Sequence, residues 1–214
     1  MNIEVEAKEI LTSSMATVSY LCEHLPADKK RVFVIGEDGL KQPLLENDFV
    51  LTDLYEVDQP EKGITGRTAD IVVSGLDRTL TWDKLATATL NINAGAAFYA
   101  TNSDSTLPTE LGEVMGNGGV LAALESVTGV KPISIGKPEP ILYEQALKIL
   151  GTTKDTTIAI GDRLNTDILG AVNAGIRSVL VLTGVSSSED VKQVDYKPTW
   201  ILDDLAALTK ALEN

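Results

Sequence analysis

Two carboxylates stand five residues apart where a predicted strand gives way to a predicted helix. Asp162 follows a short, β-branched apolar run that Gly161 stops, and Asp167 lies at the start of the helix. In a parallel α/β sheet the ligand crevice lies at the carboxyl ends of the strands, so both carboxylates are expected to face it. Two negative charges in one crevice repel each other, and Mg²⁺ with a shell completed by water would relieve that repulsion. The alternative is that both residues only cap turns.

Lys137 is a candidate for the positive charge of the same site. It stands between Gly136 and Pro138 at the end of another predicted strand. A lysine there can pair with a phosphate or neutralise charge on a neighbouring carboxylate. Taken alone, Gly-Lys-Pro is more typical of a solvated loop, but a place beside Asp162 on an adjacent strand favours a role in the site.

The elements that position these side chains follow from the pattern of residues 157–182. Residues 157–160 form a short apolar run that is typical of a buried parallel strand, and residues 178–182 form a second one. Between the two runs, Thr166 can cap a helix whose apolar residues recur at helical spacing, and Gly175 can end that helix. The stretch is therefore predicted to be strand, carboxylate-bearing turn, helix and strand.

A loose internal repeat precedes this stretch. Residues 31–52 and 70–101 each read as strand, Gly-x-Asp turn, helix and strand, which predicts two βαβ units that share a sheet. Residues 116–119, Gly-Asn-Gly-Gly, open the next predicted helix. Their spacing does not match the dinucleotide-binding pattern G-x-G-x-x-G, so we predict a packing or turn role for these glycines.

Composition limits the partners and the compartment. The chain has 18 Lys and Arg against 31 Asp and Glu, a net charge of −13, which argues against nucleic acid as a partner. A single cysteine excludes an internal disulfide and is typical of a reducing compartment. No apolar run approaches the length of a membrane span, so we expect a cytoplasmic α/β protein without a membrane partner. The lone histidine, His24, lies in a predicted surface helix, which disfavours Ser-His-Asp catalysis.

Two segments resemble motifs of the haloacid dehalogenase-like (HAD) phosphatases. Gly161-Asp-Arg-Leu-Asn-Thr-Asp-Ile168 is similar to their fourth motif. Gly136-Lys-Pro-Glu-Pro140 is similar to their third motif, in the form found in the NagD-like, p-nitrophenyl phosphatase and phosphoglycolate phosphatase branch. Residues 11–17, 100–104 and 182–186 add further matches, so the similarity covers nearly the whole chain.

The resemblance implies a fold and an arrangement of domains. The fold is an α/β, HAD-like Rossmannoid core of three layers, with a mostly parallel sheet, that carries a class-II α/β cap domain. Residues 12–132 would form the cap, and residues 1–11 and 133–214 would form what is present of the core.

The resemblance also implies an activity, namely Mg²⁺-dependent hydrolysis of a small phosphorylated metabolite through an aspartyl-phosphate. Asp162 would bind the metal directly, and Asp167 would support the metal's water shell or orient Lys137. Lys137 would contact the phosphate. Asn102 and Asp104 resemble an element of the family's cap, and the loop from Asp104 to residue 108 would then bind substrate, although a plain structural turn remains an alternative.

One departure from the family decides the expected activity of this chain. The family's nucleophile motif, Asp-x-Asp-Gly after the first strand, has no counterpart, and the 214 residues contain no Asp-x-Asp. One hypothesis is an N-terminally shortened phosphatase, with the first core strands missing and no activity by itself. The other is a non-catalytic binding or oligomerisation module derived from such an enzyme. Because a missing strand exposes the edges of its neighbours, a homo-oligomer is also expected.

Overall fold

The computed structural model describes residues 4–213, which divide into two compact units. The N-terminal unit is Met1–Gly136 and the C-terminal unit is Lys137–Asn214. The division falls after residue 136, because residues 133 and 134 pair with a strand of the N-terminal unit, and the assignment of residues 12–132 to a cap stays a prediction. Residues 4–11 lie in the N-terminal unit, and residues 1–3 of the predicted core segment 1–11 lie outside the described part, so that assignment also stays a prediction.

The N-terminal unit is built on a parallel sheet. Four of its strands come first along the chain: β1 (Arg31–Ile35), β2 (Val50–Leu51), β3 (Ile71–Ser74) and β4 (Ala97–Ala100). An antiparallel hairpin follows, formed by β5 (Thr106–Thr109) and β6 (Gly112–Met115), and β7 (Ile133–Ser134) then completes the parallel sheet in the order β2-β1-β3-β4-β7. Strands β1 and β3 pair from Val32 with Ile71 to Ile35 with Ser74, which confirms that the two βαβ units share one sheet.

Helices pack on this sheet. They are α1 (Ser13–His24), α2 (Asp38–Glu46), α3 (Trp82–Asn93) and α4 (Asn117–Thr128), with short 3₁₀ turns at Ala7–Glu9 and Pro60–Lys62. One apolar core joins β1, β3 and β4 to α3 and α4, and it includes Phe33, Ile35, Val72, Ala88, Ile92, Phe98, Leu121 and Leu124. The core explains why strands β1 and β3 are almost continuously apolar, as strands covered on both faces should be.

The region after β4 differs in part from the prediction. Residues 104–108 are predicted as a loop, but β5 begins within them at Thr106 because it pairs with β6 in the hairpin. The glycines that follow have the predicted packing role. A Cβ atom on Gly116 would lie 2.3 Å from the backbone oxygen of Asp104, and one on Gly118 would lie 2.7 Å from that of Ser103. The start of α4 can therefore approach this backbone only without side chains at both positions.

The C-terminal unit has a smaller parallel sheet. Its helices and strands are, in chain order, α5 (Ile141–Leu150), β8 (Ile158–Gly161), α6 (Leu169–Ala174), β9 (Arg177–Val181), β10 (Trp200–Leu202) and α7 (Leu205–Leu212). The strand order is β10-β9-β8, and 3₁₀ turns occupy Lys154–Thr156 and Asp190–Gln193. The predicted sequence of strand, turn, helix and strand is confirmed, with Gly175 ending α6 at a φ of +71°.

The entry into α6 was not predicted correctly. A π-helical turn, Leu164–Ile168, precedes α6, so Thr166 lies inside the turn and does not cap the helix. The backbone N–H groups of Asp167 and Ile168 both donate to the carbonyl oxygen of Arg163. The turn therefore places Asp167 two residues before α6 begins. Within residues 4–213 no helix combines the length and the apolar character that crossing a membrane requires.

Asn117 ties together three elements of the N-terminal unit. Its side chain is almost fully buried, with 2% of the residue exposed. Its Nδ2 donates to the backbone oxygens of Ser74, at 3.2 Å, and of Asn102, at 2.7 Å, and its Oδ1 accepts from the Ser74 hydroxyl at 2.7 Å. The ends of β3 and β4 are thus held to the start of α4 by one amide group.

We expect Asn117→Ala to lower the free energy of unfolding by about 2–4 kcal/mol, because it leaves two backbone oxygens and a hydroxyl without partners in a buried place. Urea unfolding followed by circular dichroism measures this. Asn93→Ala, which truncates an exposed asparagine at the end of α3, is the matched control and should change the value by less than about 0.5 kcal/mol. Equal effects of the two substitutions would contradict the role assigned to Asn117.

Candidate active site

The candidate site of the C-terminal unit begins where β8 ends. Strand β8 stops at Gly161, and Asp162 is the next residue, as the sequence predicts. The Asp162 side chain is half-buried, and its Oδ2 accepts a hydrogen bond from the backbone N–H of Val185 at 3.0 Å. Its Oδ1 accepts no hydrogen bond from any described residue. One carboxylate oxygen at the carboxyl end of a parallel strand is therefore available to a ligand.

Asp167 is the most connected side chain of this region. Its Oδ1 forms an ion pair with Nζ of Lys137 at 2.6 Å, and its Oδ2 accepts from the backbone N–H groups of Asp162, at 3.2 Å, and Arg163, at 3.1 Å. The carboxylate of Asp167 is 12% exposed and the side chain of Lys137 is 42% exposed. Asp167 therefore fixes both the turn that carries Asp162 and the position of the Lys137 ammonium.

Two glycines leave room for the two carboxylates. A Cβ atom on Gly161 would lie 2.2 Å from the Cβ of Asp167, and one on Gly184 would lie 2.0 Å from Oδ2 of Asp162. Contacts this short do not occur between real atoms, so any side chain at either position would displace a carboxylate. Gly161 thus does more than stop a strand, because the Asp167 side chain occupies the space beside it.

The segment after β9 also contacts Asp162 and the turn that follows it. The backbone N–H of Ser186 donates to the carbonyl oxygen of Asp162 at 3.0 Å, and the Ser186 hydroxyl accepts from the N–H of Leu164 at 3.0 Å. Together with the bond from Val185, these contacts hold the turn after β8 to the turn after β9. Residues 182–186 match the family, but the sequence alone gave them no role.

Tyr143 is a further residue that the sequence did not single out. Its hydroxyl donates to the backbone oxygen of Asp167 at 2.8 Å, and its ring lies against Gly170, where a Cβ atom would be 2.7 Å away. Burial, together with the nearby charge of Asp167, raises the pKa of Tyr143 well above its usual value. The hydroxyl therefore stays protonated and acts as a fixed donor that helps to hold the π-helical turn.

The geometry offers the free carboxylate oxygen of Asp162 and an ammonium group, that of Lys137, both linked to Asp167. Among residues 4–213 no group of three or more His, Cys, Asp or Glu is arranged to hold a metal ion. Mg²⁺, however, is commonly bound by one or two carboxylates, with water and phosphate oxygens completing the shell. Asp162 fits that donor set, whereas both oxygens of Asp167 are already engaged.

Of the three predicted substrate-binding residues, Lys137 lies in the C-terminal unit, and Asn102 and Asp104 lie in the N-terminal unit. Asn102 follows β4, and its backbone oxygen is held by Asn117, while Oδ1 of its side chain is buried and accepts no hydrogen bond in the described part of the chain. Asp104 is exposed, and its backbone oxygen accepts from the N–H of Gly118 at 2.8 Å. The structure thus brings together Lys137, Asp162 and Asp167 within one unit, and it places Asn102 and Asp104 together within the other.

Comparison with known proteins identifies the family. A family model described as HAD-hydrolase-like matches residues 134–208, and one described as haloacid dehalogenase-like hydrolase matches residues 1–50. The chain is 40% identical over 208 residues to 5'-nucleotidase YutF of Bacillus subtilis, covering 95% of this chain and 74% of that protein. It is 38% identical over 214 residues to an acid sugar phosphatase of Staphylococcus aureus, covering all of this chain and 77% of that protein.

Solved structures agree with the sequence relatives. A thermostable p-nitrophenyl phosphatase (NPPase) from Geobacillus stearothermophilus, a double mutant, superposes with a TM-score of 0.84 at 40% identity, covering 95% of this chain and 75% of that one. A p-nitrophenyl phosphatase from Archaeoglobus fulgidus gives 0.86 at 28% identity, covering 98% and 77%. The chain therefore belongs to the haloacid dehalogenase-like hydrolase family, in its NagD-like p-nitrophenyl phosphatase branch, with the family's Rossmannoid core and cap.

Proposed function

We propose that the C-terminal unit carries the metal- and phosphate-binding part of a HAD-type phosphomonoesterase site. The observation that supports this most directly is that the Asp167 carboxylate contacts both the Lys137 ammonium and the backbone N–H of Asp162, the residue with a free carboxylate oxygen. A carboxylate and an ammonium group at one strand end are complementary to a phosphate that is bound together with a cation.

Asp162 is the proposed metal ligand, through Oδ1. The N–H of Val185 holds the other oxygen, so the carboxylate has a fixed orientation before any cation binds. When bound there, Mg²⁺ would neutralise negative charge on the phosphoryl oxygens. The same N–H group sits next to the ligand and can report its binding.

Lys137 is the proposed phosphate contact, and Asp167 is the residue that positions it. An ammonium group on a flexible four-carbon stem is a mobile point charge, and the Asp167 carboxylate restricts it to one place. With both of its oxygens accepting hydrogen bonds, Asp167 is better suited to orienting Lys137 than to binding the metal directly. Of the two roles that the sequence left open for Asp167, we therefore favour the second.

The N-terminal unit is the proposed cap, and Asn102 and Asp104 are its proposed substrate contacts. A buried acceptor without a partner, such as Oδ1 of Asn102, is costly unless another group donates to it. A hydroxyl or amine of a small phosphorylated metabolite would supply that donor. The relatives are named as a nucleotidase and a sugar phosphatase, and both kinds of substrate carry hydroxyl groups beside the phosphate.

A second candidate function is phosphate binding without turnover. The 214 residues contain no Asp-x-Asp, which favours this candidate. The resemblance to the family implies that one aspartate attacks the phosphorus and that a second aspartate acts as the general acid and base. Lys137 and Asp162 can bind and polarise a phosphate, but neither is the carboxylate that would form the covalent intermediate. Both candidate functions include phosphate binding, but only the first includes hydrolysis of the phosphomonoester.

Mg²⁺ binding should depend more strongly on Asp162 than on Asp167. We expect Asp162→Asn to weaken Mg²⁺ binding at least about a hundredfold and Asp167→Asn to weaken it about tenfold, because only Asp162 has a free carboxylate oxygen, whereas Asp167 supports the turn that places it. The measurement is a Mg²⁺ titration that follows the amide resonance of Val185 by NMR. Asp155→Asn, which removes an exposed carboxylate of the same unit, is the matched control.

Equal losses for Asp162→Asn and Asp167→Asn in this titration would mean that both carboxylates bind the ion directly. Binding of inorganic phosphate, measured by a second titration, should instead depend on Lys137 and Asp167. Lys137→Met and Asp167→Asn should both weaken phosphate binding, because one removes the ammonium group and the other releases it from its fixed position.

We expect the 214-residue chain to hydrolyse p-nitrophenyl phosphate no faster than its Asp162→Asn variant. Losing the nucleophile in comparable catalytic machinery lowers turnover on the order of 10⁶-fold. The assay measures release of p-nitrophenolate with Mg²⁺ present, for both proteins at equal concentration. Rapid hydrolysis that Asp162→Asn abolishes would show that another residue of this chain is the nucleophile, and would reject the binding-only candidate.

A further inference from the structure

The backbone next to Lys137 is held by a side chain of α6. Nδ2 of Asn173 donates to the backbone oxygen of Pro138 at 2.9 Å, although the two residues are 35 positions apart in the chain. The ring of a proline fixes φ, so ψ is the backbone torsion that remains soft at Pro138. A hydrogen bond to the Pro138 carbonyl group restricts that torsion. Asn173 thereby restricts the backbone that follows Lys137.

One face of the segment from Asp167 to Asn173 contacts both Lys137 and Pro138. Residues three apart lie on the same face of a helix, and Asp167, Gly170 and Asn173 have this spacing. Asp167 holds the Lys137 ammonium group at 2.6 Å. A Cβ atom on Gly170 would already touch Cα of Pro138, at 3.4 Å, so the backbone of α6 lies directly against this proline. Asn173 completes the face with its bond to the Pro138 carbonyl oxygen.

Two contacts at opposite ends of the Lys137 side chain determine where its ammonium group lies. Asp167 restricts the Nζ end. The Lys137 side chain is 42% exposed, and an ion pair in contact with water contributes little against the freedom of a four-carbon stem. Restricting the backbone at the other end of the stem reduces the volume that Nζ can reach. The bond from Asn173 to Pro138 supplies this second restriction.

The helix α6 does not need the Asn173 amide for its own packing. Gly175 ends the helix in the left-handed conformation, at a φ of +71°. Ala174 is fully buried in an apolar cluster and anchors the helix to the rest of the unit. Asn173 itself is exposed, and its amide donates to Pro138 in a separate segment of the chain. The contact therefore serves the segment that carries Lys137.

We propose that Asn173 is a positioning residue for the phosphate contact of the candidate site. By restricting the backbone after Lys137, it keeps the ammonium group within reach of Asp167 and in one place for a phosphate. The face formed by Asp167, Gly170 and Asn173 then holds residues 137 and 138 as one unit. This inference rests on the proposed function, since it takes Lys137 as the phosphate contact.

The first test needs no ligand. NMR relaxation at the Cε–H bonds of Lys137, in the 214-residue chain, reports how strongly the ammonium end of the side chain is restricted. Asn173→Ala should lower the order parameter of these bonds. Val172→Ala is the matched control, because it truncates the adjacent exposed side chain of α6, and it should leave the order parameter unchanged. An order parameter that Asn173→Ala also leaves unchanged would overturn the proposal.

The second test separates a positioning role from a general loss of structure. Inorganic phosphate should bind the Asn173→Ala variant about three- to tenfold more weakly, as expected for the loss of one hydrogen bond of ordinary strength. Mg²⁺ affinity should stay within about a factor of two, because the contacts that hold Asp162 do not include Asn173. Both affinities come from NMR titrations, and circular dichroism shows whether the variant is folded. Equal losses of the two affinities would mean that Asn173 supports the whole turn, and would overturn the proposal.

A double-mutant cycle shows whether Asn173 acts through Lys137. In the Lys137→Met background, Asn173→Ala should have no further effect on phosphate affinity, since the group that it positions is gone. The same loss in both backgrounds would overturn the proposal. An unchanged phosphate affinity in Lys137→Met alone would reject the proposed function instead, and the order parameter of the Lys137 side chain would still decide whether Asn173 restricts it.

Discussion

The carboxylate of Asp167 is the interaction on which the candidate site depends. One oxygen holds the Lys137 ammonium and the other holds two consecutive backbone N–H groups at the end of β8. A single side chain thereby joins the segment before α5 to the turn after β8. Asp162, the residue with a free oxygen, is placed by this turn rather than by its own contacts alone. The chemistry of the site is therefore supported by a residue that need not contact a ligand.

The sequence singled out the candidate residues of the site but not the residues that support them. Lys137, Asp162 and Asp167 could be found because a strand end, a glycine and a fixed spacing mark them. Tyr143 could not, since an aromatic residue inside an amphipathic helix looks like any core residue until its hydroxyl is seen at Asp167. The N–H of Val185 carries no sequence signal at all, because every residue except proline has one.

The fold was predictable where apolar periodicity was strong. The order of strands and helices in the two βαβ units follows from apolar runs whose spacing fits either a strand or a helix, but not both. The hairpin of β5 and β6 was missed because its residues are mostly exposed and give no alternating pattern. The division between the two compact units has no sequence signal, because β7 has two residues and only its pairing with β4 reveals which sheet it joins.

Because of the π-helical turn at Leu164–Ile168, the number of residues between Asp162 and Asp167 determines where the second carboxylate points. Each residue of a helix advances the direction of its side chain by about 100°. Removing one residue between Asp162 and Asp167 would convert the wide turn into an ordinary helical one and swing the second carboxylate away from the lysine. Substitutions at the intervening positions leave that direction unchanged. Substitutions between the two aspartates are therefore expected to be tolerated far better in evolution than insertions or deletions there.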